Sequence, residues 1–103
     1  MNPGNDFKAA WETMIDVSGS DFTYKASDGS TGSVRMFFMI VGKDDETLIN
    51  ALGLDARIAA IKPEIDLGKY TIVTSPTGKT YNVEASHEVL VDNVLVGYRL
   101  YLL

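Results

Sequence analysis

His87 is the only histidine in the chain, and it stands between Ser86 and Glu88. A serine hydrolase built on it would need a nucleophile on a strained turn of the type Gly-x-Ser-x-Gly, and the sequence has none. Gly78-Lys79-Thr80 has the form of the end of a phosphate-binding loop. That loop requires a further glycine five positions before its last one, where this chain has Val73, and a helix behind it, where strand-type residues follow. Asp44-Asp45-Glu46 offers oxygen ligands to a hard cation, but without the alternating ligands, central glycine and distal bidentate glutamate of a calcium loop. Glu64 and Asp66 are of the right type for acid–base work, with nothing in their surroundings to pair them. Cysteine is absent, which excludes disulfides, thiolate metal sites and thiol nucleophiles. No enzyme activity, cofactor or metal ion is therefore expected, and binding to other proteins is the leading expectation.

Composition narrows the partners. The chain has 103 residues, 46% of them apolar, enough for one modest core, so residues 1–103 are read as a single domain. Nine Lys and Arg against fourteen Asp and Glu give a net charge of −5, and the cations are scattered singly from Lys8 to Arg99. A phosphate backbone or an anionic membrane is repelled by such a surface, so neither sequence-specific nucleic-acid binding nor membrane binding is expected. Met1 to Asp6 is polar and unlike a secretory leader. The longest apolar run, Met36 to Val41, falls far short of the roughly 20 residues a membrane helix needs. A cytoplasmic, untargeted protein is expected.

The elements that would carry any binding surface follow from periodicity. Phe7, Ala10, Trp11, Met14 and Ile15 recur at helical spacing opposite Lys8, Glu12, Thr13 and Asp16, which predicts an amphipathic helix capped by Asn5 or Asp6 and ended by Ser18-Gly19-Ser20. Trp11 is read as an anchor against a sheet. Phe22 to Lys25 and Val34 to Val41 read as strands joined by a flexible turn segment, Ala26 to Ser33. The second has apolar residues at both alternations, as a strand covered on both faces does.

From Gly42 to Leu54 the strand pattern breaks. Lys43-Asp44-Asp45-Glu46 leads into Thr47 to Gly53, which suits either a short helix with Leu48, Ile49 and Leu52 on one face or a mobile loop. Asp44, Asp45, Leu48, Ile49 and Leu52 are the candidate protein-interface residues, the acids for electrostatic contact and the apolar three for packing. Beyond it, Ala56 to Ile61 suits a strand or a helix and is ended by Lys62-Pro63. Tyr70 to Ser75 and Lys79 to Ala85 form a hairpin through Pro76-Thr77-Gly78, with Tyr81, Val83 and Ala85 facing inward. Glu88 to Val91 and Val94 to Leu102 form another through Asp92-Asn93, with Val94, Val96, Tyr98, Leu100 and Leu102 on one side. The expected fold is mainly β: a small barrel or sandwich of about six to seven short strands, with one N-terminal α-helix that plugs or covers one side and a mobile loop in the first half.

Four segments have a shared cadence: Ala56-Arg57-Ile58-Ala59-Ala60-Ile61, Ile65-Asp66-Leu67-Gly68-Lys69-Tyr70-Thr71-Ile72, Gly78-Lys79-Thr80-Tyr81-Asn82-Val83, and Val96-Gly97-Tyr98-Arg99-Leu100-Tyr101-Leu102. In this layout the chain resembles the head-tail joining proteins of long-tailed bacteriophages, including the lambda-type head-completion protein. The resemblance implies a structural protein of the virion, present in the bacterial host cytoplasm during assembly. It implies that several copies form a ring on the portal vertex of a DNA-filled head and receive the tail. Its partners would be phage portal, head and tail proteins and neighbouring copies, held by unlike surfaces as in any cyclic ring. The family supplies no catalytic motif and no interface residue by analogy. An acidic channel lining lets DNA pass without adhering. The alternative reading is a monomeric binding or inhibitor module on a small β-barrel, engaging its target through exposed edge strands and the 42–54 segment.

Overall fold

In the computed structural model, residues 3–39 and 57–103 are described. The candidate interface residues Asp44, Asp45, Leu48, Ile49 and Leu52 lie outside the described residues. One helix, α1 (Pro3–Ser18), precedes six strands: β1 (Ser20–Lys25), β2 (Thr31–Phe38), β3 (Arg57–Ile61), β4 (Ile72–Thr74), β5 (Thr80–Val91) and β6 (Val94–Leu102). The strands are antiparallel and close into a barrel in the order β1-β2-β3-β6-β5-β4.

Alternation along each strand sends one set of side chains into the barrel. Phe22, Val34, Met36, Ala59, Ile61, Val73, Tyr81, Val83, Leu100 and Leu102 fill it, with Leu67 from the β3–β4 connection. A second, smaller cluster of Trp11, Ile15, Ala60 and Val96, with Phe37 and Met39 beside it, lies between the helix and the outer wall. Met36 of β2 is buried inside the barrel and Phe37 packs outside it, as expected of a strand covered on both faces, whereas Phe38 at its end is 37% exposed and residues 40 and 41 of the predicted run lie outside the described residues.

The helix differs in detail from its predicted form. It starts at Pro3, so Asn5 and Asp6 lie inside the first two turns rather than at the cap. Proline suits that first position, where its missing N–H would be unpaired anyway. Its buried stripe is Gly4, Trp11 and Ile15, while Phe7 and Ala10 face outward and Phe7 is 49% exposed. Arg35 secures the other end: Nε donates to the Ile15 carbonyl (3.0 Å) and Nη2 to that of Asp16 (3.1 Å). The Ile15 carbonyl also accepts the Gly19 amide (2.9 Å), and the guanidinium adds a favourable cation at the negative end of the helix dipole. Lys62 pairs with Asp16, whose carboxylate raises the Lys62 pKa above its ordinary value, chiefly through the hydrogen bond.

The first hairpin is tighter than the 26–33 segment suggests. Thr31 to Ser33 already belong to β2, in register with Lys25 to Thr23, and only residues 26–30 turn. The Ala26 amide donates to the Ser30 carbonyl (2.8 Å), and Asp28 accepts both the amide (2.9 Å) and hydroxyl (2.6 Å) of Ser30. These bonds favour the charged carboxylate and lower the Asp28 pKa from 3.8, the side-chain bond most. A lowered acid stabilises the turn above its unfolded pKa and ceases to do so as pH falls through the folded value. An NMR titration should therefore find the Asp28 carboxyl protonating below pH 3.8, with the Ser30 amide exchanging faster as it does. A midpoint at or above 3.8 would contradict these bonds.

β4 is shorter than the stretch from Tyr70 to Ser75, because Tyr70 takes a left-handed backbone (φ 72°) that turns the chain into it. By contrast β5 is one continuous strand of 12 residues, where the sequence pattern suggests two.

Candidate functional site

The long β5–β6 hairpin is where the barrel departs from simple closure. β3 pairs with β6 only from Arg57↔Leu102 to Ile61↔Tyr98, and β4 pairs with β5 only from Thr74↔Thr80 to Ile72↔Asn82. Residues 89–97 therefore run on past the barrel wall as a two-stranded arm. Its tip is Asp92-Asn93, both with positive φ (50° and 64°), the mirror-image turn that matches the twist of paired strands.

Two bulges set which way the arm's side chains point. At the first, Val83 faces Leu102 but Ala85 faces Tyr101, so Glu84 is the extra residue. This leaves Ala85 half-buried on the outer side rather than inside with Tyr81 and Val83. At the second, Val89 faces Gly97 while Leu90 faces Leu95, so Val96 is extra and turns to the helix side. The predicted single face of Val94, Val96, Tyr98, Leu100 and Leu102 is broken here. Leu100 and Leu102 stay in the barrel, while Val96 joins Trp11, Ile15 and Ala60.

The helix packs on one face of this arm. Trp11 is buried as predicted, with Nε1 donating to the Ile61 carbonyl (2.9 Å) at the end of β3. Two glycines allow the approach. A Cβ on Gly97 would lie 2.4 Å from Trp11 Nε1 and 2.3 Å from the Ile61 oxygen, and one on Gly4 would lie 2.2 Å from the Val91 oxygen. Gly97→Ala should cost about 1–3 kcal/mol through overpacking. Thermal melting should show a midpoint lower by roughly 4–8 °C per kcal/mol. An unchanged midpoint would show that the ring is not clamped there.

The arm's opposite face is open. Val89 and Val91 pack toward the helix, so Glu88 and Leu90 project the other way, and Leu90 is 58% exposed with Leu95 facing it across the pair. Ser86 shares this face and donates its hydroxyl to Asp66 (2.5 Å). Tyr98, the cross-strand partner of Glu88, is raised above its ordinary pKa by burial first and then by the Asp66 and Glu88 carboxylates. The surroundings of the open face are thus acidic.

The residues singled out for chemistry do not converge. His87 is exposed and sets its ring edge-on to Tyr101 (5.0 Å), on the face of β5 opposite to Ser86. Gly78-Lys79-Thr80 lies in the β4–β5 turn, with Gly78 at φ 91° and Lys79 over the Tyr81 ring at 5.3 Å. Asp66 serves Ser86, and Glu64 is exposed. Among the described residues no group of three His, Asp or Glu is placed to hold a metal ion, and no helix is long and apolar enough to cross a membrane. Two shallow clefts mark the barrel surface, one over Tyr24, Lys25 and Ile72 and one between Phe22, Phe38 and Pro76.

Sequence reasoning missed the arm. The available signal was a length mismatch: the apolar alternation from Lys79 to Val91 outruns anything the short stretch before Pro76 can pair with. Comparison of the chain with protein-family models, with curated proteins and with solved structures finds no match.

Proposed function

We propose that this chain is a structural assembly protein that joins a DNA-filled phage head, at its portal vertex, to the tail as part of a ring of copies. The observation that carries the reading is the β5–β6 arm, a projecting ribbon with one face packed by the helix and the other, with Leu90, left open. The helix-packed face of the extension adds to the core, while its open face and edge give an assembling subunit a contact surface. The particular role rests on the resemblance of the sequence to head-tail joining proteins, and the net charge of −5 suits a subunit that borders passing DNA without binding it.

The function is mechanical on this reading, with no bond made or broken. Contacts formed only on the particle offset the loss of freedom on joining the ring. The test is genetic: a phage deprived of this gene should accumulate filled heads and finished tails separately.

A further inference from the structure

We propose that the outer edge of β5 at residues 87–91 is a strand-addition site for an extended segment of a partner protein that carries a basic and an apolar side chain two residues apart, on one face. This rests on the assembly reading above and names the kind of partner contact involved.

The hydrogen-bond ladder locates the unused backbone groups. Asn82 exchanges both bonds with Leu103, while Val83 directs its amide and carbonyl the other way, to Thr71 and Tyr70. Continuing that alternation through the Glu84 bulge makes Ala85, His87, Val89 and Val91 the residues bonded to β6. The amides and carbonyls of Glu88 and Leu90 therefore point away from β6. Among the described residues no strand lies on that side, since β4 reaches only to Asn82. By the same alternation the backbone groups of Ser86 also point away from β6, and its hydroxyl donates to Asp66.

An edge of this kind pairs with whatever extended backbone reaches it, and side chains decide which. Here Glu88 and Asp66, the two carboxylates that act on Tyr98, set the sign of the charge. Burial first, and then these two carboxylates, hold the Tyr98 pKa above its ordinary value. A second copy of the chain, itself acidic, is the less favoured occupant; a segment with Lys or Arg opposite Glu88 and an apolar residue on Leu90 and Leu95 fits both backbone and face. The charge of Glu88 also keeps this edge from pairing indiscriminately.

The test uses the whole chain and a synthetic Thr-rich peptide with Lys and Val two residues apart (the Lys-Val peptide), with Glu in place of that Lys as control (the Glu-Val peptide), read by NMR and amide exchange. The Lys-Val peptide should slow exchange at Glu88 and Leu90 in particular and bind less tightly as salt rises. Glu88→Lys should weaken it roughly three- to tenfold and favour the Glu-Val peptide instead. Leu90→Ser should weaken both peptides. Both residues are exposed, and melting of the free variants checks that the fold is intact. Binding that leaves the Glu88 and Leu90 amides unchanged, equal affinity before and after Glu88→Lys, or protection of the edge by self-association without peptide would each overturn the proposal. The measurement needs no phage, so failure here leaves the joining role standing, and failure of joining leaves the edge standing.

Discussion

Trp11→Ala should lower the stability of the free protein by about 3–5 kcal/mol, the loss expected when a buried tryptophan is emptied from a core. Small domains have only about 5–15 kcal/mol in total, so the variant should melt far below the parent or fail to fold at growth temperature. The expectation follows from position: Trp11 is 7% exposed, touches the Gly97 backbone, and donates to the Ile61 carbonyl, so one side chain ties helix, β3 and β6 together. Trp11→Phe keeps most of the ring and loses the N–H, and should cost less, with about 1 kcal/mol assigned to the hydrogen bond. Phe7→Ala, on the exposed flank, should cost about 1 kcal/mol or less. Chemical denaturation of the three variants checks the order. A Phe7→Ala variant as unstable as Trp11→Ala would mean that the helix packs by another face.

That contrast shows what was legible in the sequence. The helix, its tryptophan anchor and the Pro76-Thr77-Gly78 and Asp92-Asn93 turns were readable because each leaves a local signature. The choice of helix face was not. Phe7, Trp11 and Ile15 share an apolar stripe as well as Gly4, Trp11 and Ile15 do, and a glycine buried for close approach carries no hydrophobic signal. The closed six-stranded barrel lay within the expectation of a small barrel or sandwich, yet closure depends on pairings between distant segments such as β1 with β4. Bulges were invisible for a related reason. Val96 looks like one more member of an alternating run, and only the register against Val89 and Leu90 turns it to the helix side. The free edge of β5 is likewise a property of its neighbour's length rather than of its own residues. The interface residues read from the sequence, Asp44, Asp45, Leu48, Ile49 and Leu52, lie outside the described residues and remain a proposal for contact with a neighbouring copy.

Loss of the gene should nearly abolish infectious particles in a phage that depends on it, while synthesis of heads and tails continues. A joining subunit acts after both halves are complete, so its absence blocks one step and leaves the products of the earlier steps intact. Leu48→Ser with Ile49→Ser should behave like the deletion in joining while leaving the thermal midpoint of the free protein nearly unchanged, if those residues serve contacts made only on the particle. A fall in the midpoint of the double variant would place them in the core instead. Normal joining by the double variant would move the assembly contact elsewhere.

The central claim is tested most directly by mixing. Filled heads and finished tails are isolated from cells lacking the gene, the purified protein is added, and joined particles are counted by electron microscopy and by plaque titre. The account predicts that heads and tails stay separate until the protein is added and then join, with the protein as a ring at the head vertex. Intact virions formed without the gene, or heads and tails that remain apart after the folded protein is supplied, would contradict it.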